Sequence, residues 1–213
     1  MESPTSLIRP ETIAADASTV INLNATGRAR DIVQALGSRF VVVDIVQTEL
    51  DGGRRNGRRD ADLLDGLLAD RLFELVQLDA TGLDHFETLV VGPAIATLDD
   101  GEAATIAYSI ATGATAAIDE RKATSICSQR YPALSLCSTV DILARSDVQK
   151  SLGKDELSAA VFRALIHGRM RVFPHNVQWV VDLIGPEQAA ICPSLPKVVR
   201  RLQRPIQLED EEL

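Results

Sequence analysis

Short apolar runs alternate with amphipathic segments along the first 150 residues of the chain. Five runs of buried-type residues predict strands, at positions 12 to 16, 39 to 44, 72 to 78, 114 to 119 and 133 to 137. Between these runs, apolar residues recur at helical spacing, and Gly37, Gly52 and Gly113 are placed to end helices. Strands that alternate with helices predict an α/β fold, a parallel sheet of about five strands flanked by helices.

Three of the predicted helices contain polar residues that are candidates for a functional site. Ser18 is placed to cap a brief helical turn after the first strand. A helix from about Asp44 to Gly52 would put Glu49 on its final turn. The segment LDDGEAATIAYSIATG predicts a helix that begins with acids, including Glu102, and ends at Gly113.

The segments beyond residue 150 predict a mostly helical C-terminal lobe. The residues 156 to 166 carry an apolar face that suits either the lobe's own core or a second copy of the chain, so a homodimer is expected. The chain therefore divides into an α/β domain at 12 to 150, a helical extension at 151 to 205 and an acidic tail at 206 to 213.

The amino-acid composition limits the functional classes to which the protein can belong. With 46% hydrophobic and 24% charged residues the chain is typical of a globular protein, and its net charge of -8 argues against coating nucleic acid by bulk electrostatics. The distribution of charge is uneven, because Arg54, Arg55, Arg58 and Arg59 lie within six residues. That basic segment suits contacts to RNA phosphates or to an acidic partner, and it is equally typical of a solvated surface loop.

The cysteines and the N-terminal residues favour a cytoplasmic protein. Three cysteines without CxxC spacing or clustered histidines predict neither a disulfide framework nor a zinc site. The first residues, MESPTSLIRPETIAAD, lack the features of an export signal, and no apolar run is long enough to span a membrane.

Four acids are expected to meet at one edge of the sheet. Asp16 and Asp119 end predicted strands, Glu49 follows a third strand, and Glu102 begins the helix that precedes the strand of Asp119. Ligands of open parallel sheets bind beyond the carboxyl ends of the strands. Carboxylates held together there repel each other unless a hard cation such as Mg²⁺ or Mn²⁺ neutralises them. The pattern therefore predicts a metal-dependent nuclease, since such ions polarise phosphodiesters.

Each acid also has a purely structural interpretation. Asp16 would cap the helix that follows it, and Glu102 would complement a helix dipole. Asn22 and Asp141 are secondary candidates: Asn22 either supports Asp16 or satisfies the local backbone, and Asp141 either faces the acidic pocket or complements its own helix.

Four motifs in a fixed order carry a resemblance to a known family. They are DASTVINL at 16 to 23, VVDIVQTEL ending at Leu50, DGEAATIA at 100 to 107 and AIDERKA at 117 to 123. In this order they resemble the PIN-domain superfamily, and within it the branch with a GEA motif that is similar to the nuclease toxins of bacterial toxin-antitoxin pairs.

The resemblance implies a Mg²⁺- or Mn²⁺-dependent endoribonuclease, with RNA as substrate and a cognate antitoxin as partner. It implies that Asp16 and Asp119 bind metal, that Glu49 and Glu102 bind it directly or through water, and that Ser18 orients a metal-bound water. Ala117 stands where many relatives have a threonine two positions before the fourth acid, so Asp119 and Glu120 both remain candidates for that acid. The alternatives are a catalytically silent PIN-like binding protein and, without a supporting motif, another phosphoryl-transfer enzyme.

Overall fold

A computed structural model of the chain describes residues 11–202. Its strands are β1 (Thr12–Ala15), β2 (Arg39–Val43), β3 (Phe73–Val76), β4 (Thr115–Ala117) and β5 (Leu136–Cys137). All neighbouring strands run parallel, in the order β3-β2-β1-β4-β5. This confirms the predicted parallel sheet of about five strands.

The central strands bury side chains on both faces of the sheet. In β1, Ile13 and Ala15 belong to the core on one side, and Ala14 belongs to the core on the other. Phe40 and Val41 of β2 divide between the two sides in the same way. A strand covered by helices on both faces therefore needs apolar residues at every position, which is why these runs do not alternate with polar residues.

Eight helices cover the two faces of the sheet. They are α1 (Ala17–Ala25), α2 (Ala29–Leu36), α3 (Asp44–Arg54), α4 (Asp60–Ala69), α5 (Ala80–Val90), α6 (Asp100–Thr112), α7 (Arg121–Arg130) and α8 (Thr139–Leu143). The apolar sides of α1, α2 and α4 belong to one core, and those of α5, α6 and α7 to the opposite core. The predicted helix that contains Glu102 is confirmed, and Glu102 lies in its first turn.

Helix α1 begins differently from the prediction. It runs for nine residues, and Asp16 caps it by accepting a 2.7 Å hydrogen bond from the backbone N–H of Thr19. The expectation that Ser18 caps this helix was wrong: Ser18 lies inside the helix and donates to both oxygens of Asp16, at 3.0 and 2.8 Å. A carboxylate is a good helix cap because it accepts from orphan N–H groups at a positive helix end.

Helix α3 ends later than the sequence predicts. It continues through Gly52 and Gly53 to Arg54, so Glu49 lies in the middle of the helix and not on its final turn. The guanidinium of Arg54 contacts Asp62 and Asp65 of α4, each at an N–O distance near 2.8 Å. These contacts join the end of α3 to the neighbouring helix and offset the low helix propensity of the glycine pair.

The C-terminal lobe packs into the core of the α/β domain. It contains α9 (Ser146–Arg163), which is broken at Gly153, a π-helical turn (Ala164–Gly168), a 3-10 turn (Pro174–Asn176), α10 (Val177–Ile184), α11 (Pro186–Ile191) and α12 (Lys197–Leu202). Leu157 and Leu165 of the lobe share one buried cluster with Val20 and Leu23 of α1. The division at residue 150 stays a prediction, and the tail at 206 to 213 lies outside the described residues.

No helix within residues 11–202 is long and apolar enough to cross a membrane.

Candidate active site at the carboxyl edge of the sheet

Two adjacent strands deliver Asp16 and Asp119 to the same edge of the sheet. Ala15 of β1 and Ala117 of β4 are paired in register at the carboxyl ends of their strands. The backbone N–H of Asp16 donates to the carbonyl oxygen of Ala117 at 3.3 Å, and the Thr19 hydroxyl donates to the same oxygen at 2.9 Å. Both acids therefore lie just beyond the ends of neighbouring strands, where the sequence places them.

Asp16 is a buried carboxylate with few compensating donors. Only 2% of the residue is exposed. Burial, followed by the negative charge of Asp119, raises the pKa of Asp16 to about 7, although hydrogen bonds from Thr19 and Ser18 favour the charged form. Asp16 thus caps a helix, and the surrounding protein compensates its charged form only in part.

Asp119 is held by donors from two different helices. Its Oδ1 accepts from the backbone N–H of Thr139 at 2.8 Å, and its Oδ2 accepts from the Thr139 hydroxyl at 2.5 Å and from Asn22 Nδ2 at 2.6 Å. Burial still raises the pKa of Asp119 despite these donors. The side chain is therefore fixed in one orientation between α1 and α8.

Glu102 reaches the same electrostatic environment from α6. The pKa of Glu102 is raised to about 7. Burial is the largest cause, followed by the negative charges of Asp16, Asp99 and Glu120. The charge of Asp16, at the end of β1, therefore acts on the first turn of α6. Three of the four predicted acids are thus connected, since the charge of Asp119 raises the pKa of Asp16 and the charge of Asp16 raises the pKa of Glu102.

Glu49 lies beside the start of α6. It lines an open cavity of about 620 Å³ together with Asp99 and Asp100. The residue as a whole is exposed, but one carboxylate oxygen lies against Gly101, and this local desolvation, followed by the charges of Asp99 and Asp100, raises the pKa of Glu49. The structure thus joins Glu49 to the start of α6 and not directly to Asp16 or Asp119.

Glu120 has a different environment from Asp119. Its carboxylate forms a two-point ion pair with Arg171 of the lobe, with N–O distances of 3.1 and 2.9 Å. Asp119 is 3% exposed and is directed into the interior between α1 and α8, while Glu120 is half-buried. Of the two acids, only Glu120 already has a cationic partner within residues 11–202.

Asp141 lies at the start of α8 and contacts residues of the lobe. It forms a reciprocal capping box with Ser138 at the start of α8. It also accepts from Asn176 Nδ2 at 2.8 Å and contacts His175 Nε2 at 3.2 Å. Burial opposes its ionisation, but these hydrogen bonds outweigh burial and lower the pKa of Asp141. Its charge in turn adds to the negative field at Asp119.

The lobe supplies site contacts that sequence analysis missed. Arg171 contacts Glu120, Asn176 and His175 contact Asp141, and Gly168 lies against Asn22. A Cβ on Gly168 would lie 2.5 Å from Asn22 Oδ1, so only glycine fits that approach. The Ser138-to-Asp141 spacing is a local capping signal, but no local pattern links positions 168 to 176 with the acids.

The arginine segment divides into paired and unpaired members. Arg54 is bound to Asp51, Asp62 and Asp65, which takes it out of the predicted set of free RNA contacts. Arg55, Arg58 and Arg59 are exposed, and none of them takes part in an ion pair among the residues that the structure describes.

The donor chemistry of the site fits a hard divalent cation. Its polar groups are carboxylate, hydroxyl and amide oxygens, and Asn22 Oδ1 is buried without a hydrogen-bond partner. Within residues 11–202, no three carboxylate, histidine or cysteine side chains stand grouped as a complete metal-ligand cluster. Mg²⁺ commonly uses only one or two carboxylates and keeps several water ligands, so the number and type of donors at Asp16 and Asp119 are compatible with this ion.

These features define a class of protein. The chain has an α/β fold with carboxylates at the ends of two central parallel strands, the edge at which open parallel sheets bind ligands. A family model described as a PIN domain (DUF3368) matches residues 12–186. The chain belongs to this PIN-domain family, and PIN domains are generally nucleases. The match includes most of the lobe.

Comparisons with solved structures and with curated proteins add little to the family match. A chain of the VapBC2 complex from Rickettsia felis, solved bound to a DNA fragment from its promoter, is similar at 17% identity with a TM-score of 0.39. The alignment covers 60% of this chain and 98% of that chain. No curated protein matches.

Proposed function

We propose that this protein is a Mg²⁺- or Mn²⁺-dependent endoribonuclease whose reaction takes place at Asp16, Asp119 and Glu102. The observation that carries the proposal is the pair of buried carboxylates at the ends of β1 and β4, in a chain of the PIN-domain family. Their raised pKa values mark negative charge that a cation would neutralise.

The residues of the site have separable tasks in this proposal. Asp16 and Asp119 would hold the cation, with Glu102 as a direct or water-mediated ligand. When bound, such a cation stabilises charge on the phosphodiester and lowers the pKa of the attacking water. Ser18 donates to Asp16, and Asn22 and Thr139 donate to Asp119, so these neighbours fix the orientation of the two carboxylates.

Glu49 has a less direct place in the proposal. Its closest acidic neighbours, Asp99 and Asp100, join it to the first turn of α6, which also carries Glu102. We assign Glu49 a water-mediated role or a role in positioning that turn. Asp119 is the proposed fourth acid, since Glu120 is already bound to Arg171.

The test of this function is cleavage of single-stranded RNA by the purified protein with Mn²⁺, Mg²⁺ or a chelator. Asp16→Asn and Asp119→Asn are expected to lose activity together, and Asp84→Asn, an exposed acid on α5, is the matched control. Equal cleavage by all four proteins would reveal a contaminant. Absence of cleavage with RNA binding intact would favour a catalytically silent PIN-like binding protein instead.

An antitoxin partner and a homodimer are the remaining parts of the proposal. The resemblance to toxin nucleases supports a small protein encoded next to this chain, and co-expression should inhibit cleavage at a defined stoichiometry. Exposed apolar residues on and after α5, namely Leu83, Val91 and Ile95, offer surface for a second copy. Sedimentation of the purified chain measures the oligomeric state, and a monomer at all concentrations would contradict the dimer.

A further inference from the structure

A basic cavity opens beside the candidate active site. It has a volume of about 440 Å³ and lies between α1, the start of α4 and the π-helical turn of the lobe. Its α1 wall is formed by Ile21, Asn24 and Ala25. Its basic groups are Arg58, His167 and Arg169.

The charge of this cavity is not neutralised by the protein. Asp60 is the single acid on its wall, and within residues 11–202 no ion pair involves Arg58, His167 or Arg169. The contrast with Arg54, which contacts three acids, is informative because the chain has a net charge of -8 and no shortage of carboxylates. Positive charge left unpaired in an acidic protein suits an anionic ligand.

The backbone holds Arg169 in an unusual conformation. Its φ of 56° lies in the left-handed region, which non-glycine residues seldom adopt. The preceding residue, Gly168, packs against Asn22, whose amide donates to Asp119. One side chain therefore separates the wall of the basic cavity from an acid of the candidate active site.

The direction of α1 relates the two sites. At 1.5 Å per residue, the wall residues Ile21 to Ala25 lie about 8 to 14 Å along the helix from Asp16. A stacked nucleic-acid strand advances about 3.4 Å per nucleotide, so this interval corresponds to roughly two to four nucleotides. A strand cleaved at Asp16 and extending along α1 would bring a neighbouring phosphate to the cavity.

We propose that the cavity formed by Arg58, His167 and Arg169 is a phosphate-binding subsite for the RNA strand flanking the cleaved bond. The proposal rests on the nuclease function proposed above and adds a place and a direction for the strand. A guanidinium recognises phosphate oxygens through a planar pair of donors, and two such groups lining one cavity suit a backbone phosphate. The lobe would thus bind substrate through a turn that lies outside the common acid motifs.

The experiment measures RNA affinity separately from cleavage. In an Asp16→Asn background, the dissociation constant for a single-stranded RNA is determined by fluorescence anisotropy at several salt concentrations. Arg58→Ala and Arg169→Gly are each expected to weaken binding by about fivefold or more. Each should also lower by about one the number of counterions released on binding, which the slope of log K against log[salt] measures. Glycine keeps the left-handed backbone at position 169 while removing the side chain.

Arg71 provides a matched control for this experiment. It is exposed, has a φ of 59°, takes part in no ion pair within residues 11–202, and precedes β3 at the opposite edge of the sheet. Arg71→Gly should therefore leave RNA affinity unchanged. In the cleaving protein, Arg169→Gly should raise KM with little change in kcat, as expected for lost ground-state binding.

The outcomes separate this proposal from the one on which it rests. Metal-dependent cleavage by the wild type with unchanged affinity in Arg58→Ala and Arg169→Gly would overturn the subsite alone. The same conclusion would follow if a poly-glutamate peptide bound the wild type but not these variants while their RNA affinity stayed normal. Failure of the Asp16→Asn protein to bind RNA, together with inactivity of the wild type, would overturn both proposals.

Discussion

The carboxylate of Glu120 is bound at two points by the guanidinium of Arg171, while the adjacent Asp119 is turned into the interior. This relationship joins the fourth acid motif to a lobe residue 51 positions further along the chain. It also separates two neighbouring acids that the sequence leaves as equal candidates.

The first prediction distinguishes these two acids. Asp119→Asn should reduce Mn²⁺-dependent RNA cleavage by about 100-fold or more, because it removes charge from a buried carboxylate of the proposed metal site. Glu120→Gln should change the rate by less than about tenfold, since Glu120 is occupied by Arg171. Single-turnover cleavage at saturating RNA measures both rates, and the reverse order of severity would identify Glu120 as the fourth acid.

A second prediction concerns the contact between Glu49 and Gly101. A Cβ at position 101 would overlap Glu49 Oε2, so Gly101→Ala should displace the Glu49 carboxylate without changing any charge. The flexible glutamate can move away, so the free energy of unfolding should change by less than about 1 kcal/mol. Cleavage should fall as it does in Glu49→Gln.

Gly66→Ala is the control for this substitution. Gly66 lies in α4 with nothing within 4 Å of its would-be Cβ, so alanine should retain activity and stabilise the helix by about 0.5 to 1 kcal/mol. If Gly101→Ala is fully active while Glu49→Gln is not, the position of the Glu49 carboxylate does not matter and only its charge does.

A third prediction follows from the pKa of Asp16. Because its pKa is raised from 3.8 to about 7 in the folded protein, the folded state binds this proton more tightly than the unfolded state does. The resulting stability is complete below about pH 4 and is lost as the pH rises toward 7. In chelator, the free energy of unfolding should therefore fall between pH 5 and pH 8, by on the order of 2 to 4 kcal/mol.

Urea unfolding at several pH values measures this dependence. Asp16→Asn should flatten the curve, because an amide does not titrate. Saturating Mn²⁺ should flatten it as well, since a cation takes the place of the proton in neutralising the site. A wild-type stability that rises from pH 5 to pH 8 would contradict the proposed origin of the pKa shift.

The fourth prediction tests the contact between the lobe and α1. At Gly168 a Cβ would meet Asn22 Oδ1 at 2.5 Å and backbone Cα of the same residue at 3.3 Å. Gly168→Ala should therefore destabilise the protein by about 1 to 3 kcal/mol and disturb the hydrogen bond from Asn22 to Asp119. Differential scanning calorimetry and cleavage rates measure the two effects.

The control for this prediction is Gly52→Ala. Gly52 also lies in a helix and has open space where its Cβ would be, so the substitution should be neutral or stabilising. Equal stability of the two variants would mean that the lobe yields easily at this contact and does not fix Asn22.

The sequence predicts the sheet and the principal acids because both depend on local patterns. Strands covered on both faces appear as unbroken apolar runs, and an acid directly after such a run must lie near the carboxyl edge. The helix signals at Gly37 and Gly113 are also correct, since both residues adopt the left-handed conformation that ends α2 and α6.

The remaining features depend on contacts between distant segments. Helix α3 passes through Gly52 because Arg54 binds acids of α4, and the sequence of α3 alone contains no sign of them. The rotation of Glu49 about the axis of α3 brings its carboxylate against Gly101. The spacing of the motifs in the sequence does not reveal this contact. Arg171 and Asn176 reach the acids only because the lobe packs over α1, and a single sequence has no local signal for that packing.

The position of the lobe has a consequence for how the protein is made. Leu165 belongs to the same buried cluster as Leu23 of α1 but is synthesised long after it, and Asn176 is synthesised later still. Contacts so distant in sequence form slowly and leave apolar surface exposed in the meantime. The nascent chain therefore acquires its full set of site contacts only after the lobe has been synthesised, so we expect the α/β domain to emerge without an assembled site.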